Sequence, residues 1–405
     1  MTTTHGPLGM MEGATSGNQM VLSMGPQHPS THGVLQVLTE IEGEVICKAD
    51  PEIGYLHTGI EKSAENLFWH QASTVIERMD YLSPLTNSMC YVLGVEKLLG
   101  VGDRIPERAQ QLRVLLCELS RIASHCVWLG TGGIDLGAIS PFFYAFDLRE
   151  NILDLFEASG GARMHPNYLR IGGLRDDVPQ GFLERLDDLI AKFPGRMREL
   201  RRLLQNNPIV QDRMVDVAVL YPEEALAWNV SGPVLRGSGI AYDVRKAFPY
   251  SGYEKYEFDV PTRTEGDAYA RFLVRLDEMD QSMRIISQVR KALVPGPVML
   301  DDTKVAPPPK EAIALSMEAL IRHFKYVSEG FRVPPGDVYQ AVEGPRGELG
   351  YYIVSNGENR PWRVRTRPPS LYNLQVLKKL AIGELIADMV VCIGSLDPVF
   401  GEVDR

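Results

Sequence analysis

The stretch GPQHPSTHG, Gly25 to Gly33, sets two histidines, two prolines and two hydroxyl side chains within nine positions. Pro26 and Pro29 lack an N–H and restrain the residue before each, so the segment is no helix. Its flanks, NQMVLSM and VLQVLTEIEGEV, read as short strands, which makes the segment the loop of a hairpin. On the residues alone, two readings of His28 and His32 stay open. One is polar turn chemistry; the other is an imidazole held on a finger for proton transfer near neutral pH. In ERMDYL, Glu77 to Leu82, the residues Arg78, Asp80 and Tyr81 put base, acid and phenol in one short string. The simpler reading there is that the charges pair elsewhere and the ring packs. GARMHPNYLRIGG sets His165 before a proline in a glycine-rich loop, again open to turn chemistry.

Other chemistries are excluded by pattern. None of the eight histidines stands in H-E-x-x-H, and the five cysteines, Cys47, Cys90, Cys117, Cys126 and Cys392, include no C-x-x-C. No metal site is expected from such spacing, and the thiols read as reduced. His125 falls near an apolar helical stripe and is read as structural; His57 is given no role. GTGGIDLG places Asp135 where a dinucleotide fingerprint needs its third glycine, and it follows a helix rather than a strand. No P-loop is present, so this chain is expected to bind neither NAD nor ATP. A formal charge of −10 argues against a nucleic-acid partner. No apolar run approaches the roughly 20 residues of a membrane span. Residues 1–19 lack the basic start and apolar core of a signal peptide and read as a flexible tail.

The elements that must position these groups follow from periodicity. Residues 20–58 alternate as a small antiparallel β-unit with its turn at Glu42–Glu44. Residues 59–335 carry helical stripes and are expected to form a helical bundle. In one, Leu112, Leu115, Leu116, Leu119, Ile122, Ala123 and Cys126 share a face. Further helices are expected through SPFFYAFDLRENILDLFEAS, through GFLERLDDLIAKF and beyond, and after PTRTEGD. Another follows DDTKVAPPPK, with Ile313, Met317, Leu320, Ile321, Phe324 and Val327 at helical spacing. The methionines in these stripes read as core filler. Residues 336–405 return to period two as a three-stranded meander and then a helical tail. Arg363, Arg365 and Arg367 share one face of its third strand, with solvent as the default and an acidic partner as the weaker alternative. The class is α+β, mostly helical, with β-units near both ends.

Several strings, taken together and in order, resemble one family over about residue 20 to the C-terminus. They include GPQHPSTHG, IGYLHTGIEK, ERMDYL, ELSRIASHCVWLGTGGIDLGA, PFFYAFDLRE, GARMHPNYLRIGG, YDVRKAFPYSGYEKYEFDVP, RGELGYYIVS and SLDPVFGEVDR. The family is that of the D subunits of bacterial NADH:quinone oxidoreductases, respiratory complex I, itself similar to the large subunit of nickel–iron hydrogenases. The resemblance implies a hydrogenase large-subunit-like fold. It also implies that Asp80, Ser83, Val399 and Glu402 occupy the four positions where hydrogenases hold their metals with cysteine. Without those thiolates the soft-metal site cannot form, and the vacated cavity is expected to hold a quinone headgroup.

Roles follow by motif, as the resemblance implies them. His32 and Tyr81 bind the quinone and serve its reduction, Asp135 pairs with His32, and Thr131 lies beside the quinone. His28 is read as a turn residue. Arg78 and His165 lie next to a [4Fe–4S] cluster held by a neighbouring subunit. Thr58 stands where some members carry an arginine. The implied function is a part of a proton-translocating NADH:quinone oxidoreductase in which electrons pass from NADH through FMN and iron–sulfur clusters to quinone. This chain is expected to bind no cofactor itself and to be inactive alone. The implied partners within complex I are the small iron–sulfur protein, which is the B subunit, together with the C subunit and the membrane-embedded H subunit. The implied location is the cytoplasmic face of the inner membrane, as a peripheral component. An active hydrogenase-type metalloenzyme and a purely structural scaffold are the two other readings. Metal analysis discriminates the first, and point variants of His32 or Tyr81 the second.

Overall fold

The computed structural model describes residues 19–26 and 34–405. Strands Gln19–Met24 (β1), Gln36–Glu42 (β2) and Val45–Glu52 (β3) form an antiparallel sheet in that order. Met24 pairs with Val37 at the end of the β1–β2 ladder. His28 and His32 themselves lie outside the described residues.

In β2 the alternation of the sequence becomes a buried face of Val37, Thr39 and Ile41. What buries it comes from the far end of the chain: Leu377, Leu380, Met389, Cys392 and Ile393 join the same core. The edge of β3 is tied there as well. The Ile46 N–H donates to the Glu384 carbonyl at 2.9 Å, and the Gly383 N–H returns a bond to Ile46 at 2.8 Å.

The larger core forms around one helix, Glu107–Asp135, packed against helices Pro84–Leu99, Ser140–Gly160 and Ala268–Ala292. All seven members of its expected stripe are buried. The helix runs on through GTGGID, where the sequence suggested it had ended. Glycine allows this because close packing offsets its poor helix propensity. A Cβ on Gly130 would sit 3.2 Å from Phe142 and Phe146, and one on Gly133 would sit 3.1 Å from the Ala138 carbonyl. The extension places Thr131 and Asp135 four residues apart, on one helical face.

Strands Gly336–Gly344 (β4), Gly347–Ser355 (β5) and Arg363–Arg367 (β6) form the expected meander. The arginine face of β6 is not simply solvated. Arg363 pairs with Glu65 and Arg365 with Glu61, each at 3.3 Å. The same two carboxylates accept the Val364 and Thr366 N–H groups, so the helix Ile60–Asn66 caps an otherwise open sheet edge. One other expectation fails. The stripe after DDTKVAPPPK forms two helices, Lys310–Leu315 and Met317–Ser328, broken where the Ser316 side chain caps the second by accepting from the Ala319 N–H. That stripe faces outward: Met317 is 76% exposed and Phe324 67%. Met279 and Met283 are core filler as read, but Met317 is not, because periodicity reveals an apolar face without revealing what covers it. All five cysteines are free thiols, and only Cys47 is exposed.

Deep charges bind the bundle to the meander. Arg236, fully buried, donates to Glu278 at 2.5 Å and to Glu343 at 2.8 Å. Arg245 joins Glu118 and Asp243 nearby. Removing one partner of such a set leaves charge stranded without water. Arg236→Met should therefore destabilise the chain by about 3–5 kcal/mol, read as a lowered urea midpoint with an unchanged slope.

Candidate functional site

The turn joining helix Trp69–Ile76 to helix Pro84–Leu99 carries ERMDYL. Asp80 shapes it, since its Oδ1 accepts the N–H groups of Leu82 and Ser83, both at 3.0 Å. Local side-chain acceptors of this kind stabilise turns over helix. Against this turn lies the last segment of the fold. A Cβ on Gly401 would fall 2.4 Å from the Met79 carbonyl, so only glycine admits the approach. Asp80, Ser83, Val399 and Glu402 are thereby all buried, between 0 and 2% exposed. Oxygen chemistry fills their surroundings. The Ser83 hydroxyl bonds Thr86 at 2.7 Å and donates to Ser120 at 3.1 Å. Ser370 donates to Glu402 at 2.7 Å and accepts the Val399 N–H at 3.3 Å.

At the centre sits Arg346, fully buried in the turn between β4 and β5. It pairs with Asp80 at 3.2 Å and with Asp397 at 3.0 Å. Asp397 ends the helix Met389–Leu396 in a left-handed conformation, φ 53°. Glu402 responds to this setting: burial pushes its carboxyl from 4.5 up to about 8, the Asp80 charge adds to that, and Arg346 opposes it. Tyr81 is half-buried beside the same groups. Burial raises its phenol above the usual value, Arg346 opposes this, and Asp80 and Asp397 reinforce it. The phenol is thus a proton-holding donor in a field of fixed charges.

Asp135 stands at the C-terminal end of the central helix, half-buried, its carboxyl pushed by burial up to about 6. It lines a small apolar cavity with Trp128, Val391 and Gly394. Trp128 donates from Nε1 to the Gly394 carbonyl at 2.7 Å, fixing the last turn of helix Met389–Leu396 there. One short helix therefore touches the Asp135 cavity and ends at Asp397 beside the Tyr81 cluster. Among the described residues no hydrogen bond joins Asp135 to Tyr81 directly. Thr131 sits on the Asp135 face and donates to its own helix, at the Val127 carbonyl, 3.0 Å away.

A second group lies on the other side of the ERMDYL turn. Arg78 is exposed and donates to the Thr74 carbonyl. His165 is half-buried and its Nδ1 has no partner among the described residues. Burial depresses its pKa, and the nearby Arg78 depresses it further. What brings the two together is Glu77, fully buried, whose two oxygens each lie 3.1 Å from the Asn167 N–H. Burial pushes Glu77 up to about 7.

The structure thus assembles Arg78 with His165, and Tyr81 with Asp80; it keeps Asp135 and Thr131 at a separate helix end. Sequence reasoning gave no role to Glu77, Arg346 or Asp397, although each stands inside or beside a quoted motif. A proline–arginine–glycine string at a strand turn was the signal for Arg346. Asp397 fell in SLDPVFGEVDR, and Glu77 opens ERMDYL. His57 donates from Nδ1 to the Asp404 carbonyl at 2.7 Å, which is a structural tie. His125 is structural too, packed against Glu278 at 3.2 Å.

With this fold and cluster in view, the family is defined by comparison. Residues 135–405 match the family described as "Respiratory-chain NADH dehydrogenase, 49 Kd subunit". The chain belongs to that family, whose members include the D subunits of NADH-quinone oxidoreductase. The D 1 subunit of Symbiobacterium thermophilum is 53% identical over 389 residues, covering 96% of each chain. The D 2 subunit of Chloroflexus aurantiacus is 52% identical over 408 residues, covering all of this chain and 99% of its own. The D subunit of Geotalea uraniireducens is 50% identical over 95% of this chain and 98% of its own. As a component of complex I, the chain has other complex I subunits as partners. None of its described helices is long and apolar enough to cross a membrane.

The raised Glu402 pKa has a testable cost. The folded state keeps this proton up to about pH 8 while the unfolded chain releases it near 4.5, so the folded state binds more protons between those values. Stability from this group is full below about 4.5 and is lost as pH rises through 8. Glu402→Gln removes that slope. Urea unfolding at a series of pH values should show the variant gaining on the parent as pH rises. A constant gap would mean Glu402 is ionised in the fold at neutral pH.

Proposed function

We propose that this chain forms the cavity in which complex I reduces quinone, taking electrons from a [4Fe–4S] cluster held by a neighbouring subunit. The observation that carries the reading is the fixed set of Tyr81, Asp80, Arg346 and Asp397 at the positions and neighbours where the hydrogenase-like frame would hold thiolates. Quinone reduction consumes two electrons and two protons, and an unprotonated dianion would be costly in a buried pocket. Tyr81 is the described donor to one carbonyl. A phenol keeps its proton at neutral pH, its ordinary pKa being about 10, and burial raises it further, so it meets the developing oxyanion as a hydrogen-bond donor. His32 is the second donor. Asp135 would fix its tautomer and raise its proton affinity, and Thr131 borders the headgroup.

Arg78 and His165 face the neighbouring cluster, which supplies single electrons. Their fit rests on an exposed guanidinium set beside a half-buried imidazole whose Nδ1 is unpartnered. The positive charge of Arg78 favours the reduced state of such a centre, and the imidazole can take a proton when negative charge arrives. Within this reading the iron–sulfur partner is the small B subunit, with the C subunit and the membrane-embedded H subunit also in contact. FMN lies elsewhere in the complex, and proton translocation belongs to the whole assembly. The chain sits peripherally at the cytoplasmic face of the inner membrane.

Tyr81→Phe tests the reading in assembled complex, since it keeps the ring and loses only the hydroxyl. Losing a hydrogen bond to a developing charge should cost about 3 kcal/mol, on the order of a hundredfold in NADH:quinone reductase rate. Reduction of ferricyanide by NADH, upstream of this cavity, should persist. Normal reduction of every quinone offered would remove the phenol from the chemistry.

Two companion variants probe the flanks. Arg78→Met should lower the cluster midpoint potential in a redox titration followed by electron paramagnetic resonance, because it removes a cation beside a centre that gains an electron. Asp135→Asn should move the alkaline limb of the pH–rate profile to lower pH, since loss of an anion lowers a histidine pKa. An unmoved potential or an unmoved limb would cancel the corresponding role.

A further inference from the structure

Glu77 is buried without the company that a carboxylate needs. It stands one residue before Arg78 with 0% exposure. Among the described residues its two side-chain oxygens share one donor, the Asn167 N–H, at 3.1 Å each. The cations nearby are engaged elsewhere: Arg78 donates to the Thr74 carbonyl, and Arg170 to the Asn167 side chain. A buried carboxylate served by a single N–H is costly as an anion, and a proton relieves that cost. Burial accordingly lifts Glu77 to about 7, against the Asn167 N–H and the two charges that face it, Arg170 and Arg78.

The loop that Glu77 holds is under constraint. Asn167 is left-handed, φ 42°, a conformation that persists in a side-chain-bearing residue only where its surroundings impose it. Just before it, a Cβ on Gly160 would fall 2.3 Å from Pro166, so helix Ser140–Gly160 ends hard against the loop. His165, Pro166 and Asn167 are thus set by three fixtures, which are Gly160, Arg170 and Glu77. Of these, only Glu77 changes charge near neutral pH.

We propose that Glu77 is a positioning residue of the electron-entry side: its buried carboxyl clasps the loop that carries His165, and it takes up a proton as the neighbouring cluster is reduced. The inference rests on the reading that Arg78 and His165 face that cluster. One electron goes to the cluster and one proton passes from solvent to the carboxylate; both leave again on reoxidation. Glu77 touches no reacting atom. It acts through the His165 loop and through its charge, and it makes the cluster potential depend on pH alongside the imidazole.

The test uses assembled complex carrying Glu77→Gln, which keeps an oxygen for the Asn167 N–H and cannot ionise. Cluster midpoint potentials are read by electron paramagnetic resonance in redox titrations at a series of pH values. In the parent the potential should fall as pH rises above about 7, because ionised Glu77 opposes the incoming electron. Glu77→Gln should match the parent at lower pH and stay above it at higher pH, with a gap that widens as pH rises. His165→Met alone should keep part of the fall, and the double variant should lose it. A Glu77→Gln complex that follows the parent at every pH overturns the proposal, as does a His165→Met complex with no fall left. Should Glu77→Gln not assemble, the parent decides. Reducing its cluster above about pH 7 must bring up the infrared carbonyl band of a newly protonated carboxylic acid; the band supports the proposal and its absence overturns it. Failure of the cluster-facing reading is separately visible, because Arg78→Met would then leave the potential unmoved. A moved potential in Arg78→Met with none in Glu77→Gln removes Glu77 alone.

Discussion

Burying a guanidinium without water obliges the fold to bring carboxylates to it, and Arg346 collects them from separate parts of the chain. Asp80 arrives on the turn after helix Trp69–Ile76, Asp397 at the end of helix Met389–Leu396, and Arg346 itself between two strands. Each of these segments alone would expose an ionised group. Together they form a set in which losing any one member strands the others in a low dielectric. The close approach of Gly401 to Met79 and the buried carboxyl of Glu402 are consequences of closing that set. So is the half-buried setting of Tyr81, whose phenol is held among charges that cannot reorient.

Much of this was legible in the residues. Helical stripes and alternating strands pointed to the α+β class, and both β-units appear where periodicity put them. Local patterns report local structure well because the periods 3.6 and 2 come from backbone geometry. The length of the central helix was not legible, because Gly130 and Gly133 argue against helix by propensity, while Phe142 and Pro141 from the next helix argue for it by packing. The outward face of helix Met317–Ser328 was hidden for a related reason: an apolar stripe demands a cover but does not name one.

The candidate site was legible only in part, and the division is physical. Tyr81, Arg78 and His165 stood out because their chemistry is visible in short strings. Arg346 and Asp397 did not, because their meaning depends on partners 266 and 51 residues away in the chain. Glu77 was missed for the opposite reason. It lies one residue from Arg78, yet its task is to hold a distant loop at Asn167, 90 residues on.

The contact between the first sheet and the C-terminal helices sets an order of events during synthesis. The face of Val37 and Ile41 shares its core with Leu220, Val230 and Leu235 and with Leu377, Met389 and Ile393, so that core is complete only once the C-terminal helices have been made. A second tie is longer still: Asp404 accepts the Gly54 N–H across 350 residues. Loop-closure entropy makes such contacts late ones. A nascent chain would thus carry β1 to β3 as an unfinished, half-apolar sheet on the ribosome while the helical body collapses beside it. The first sheet is made before the helices that complete its core, and it is among the last parts of the fold to be secured.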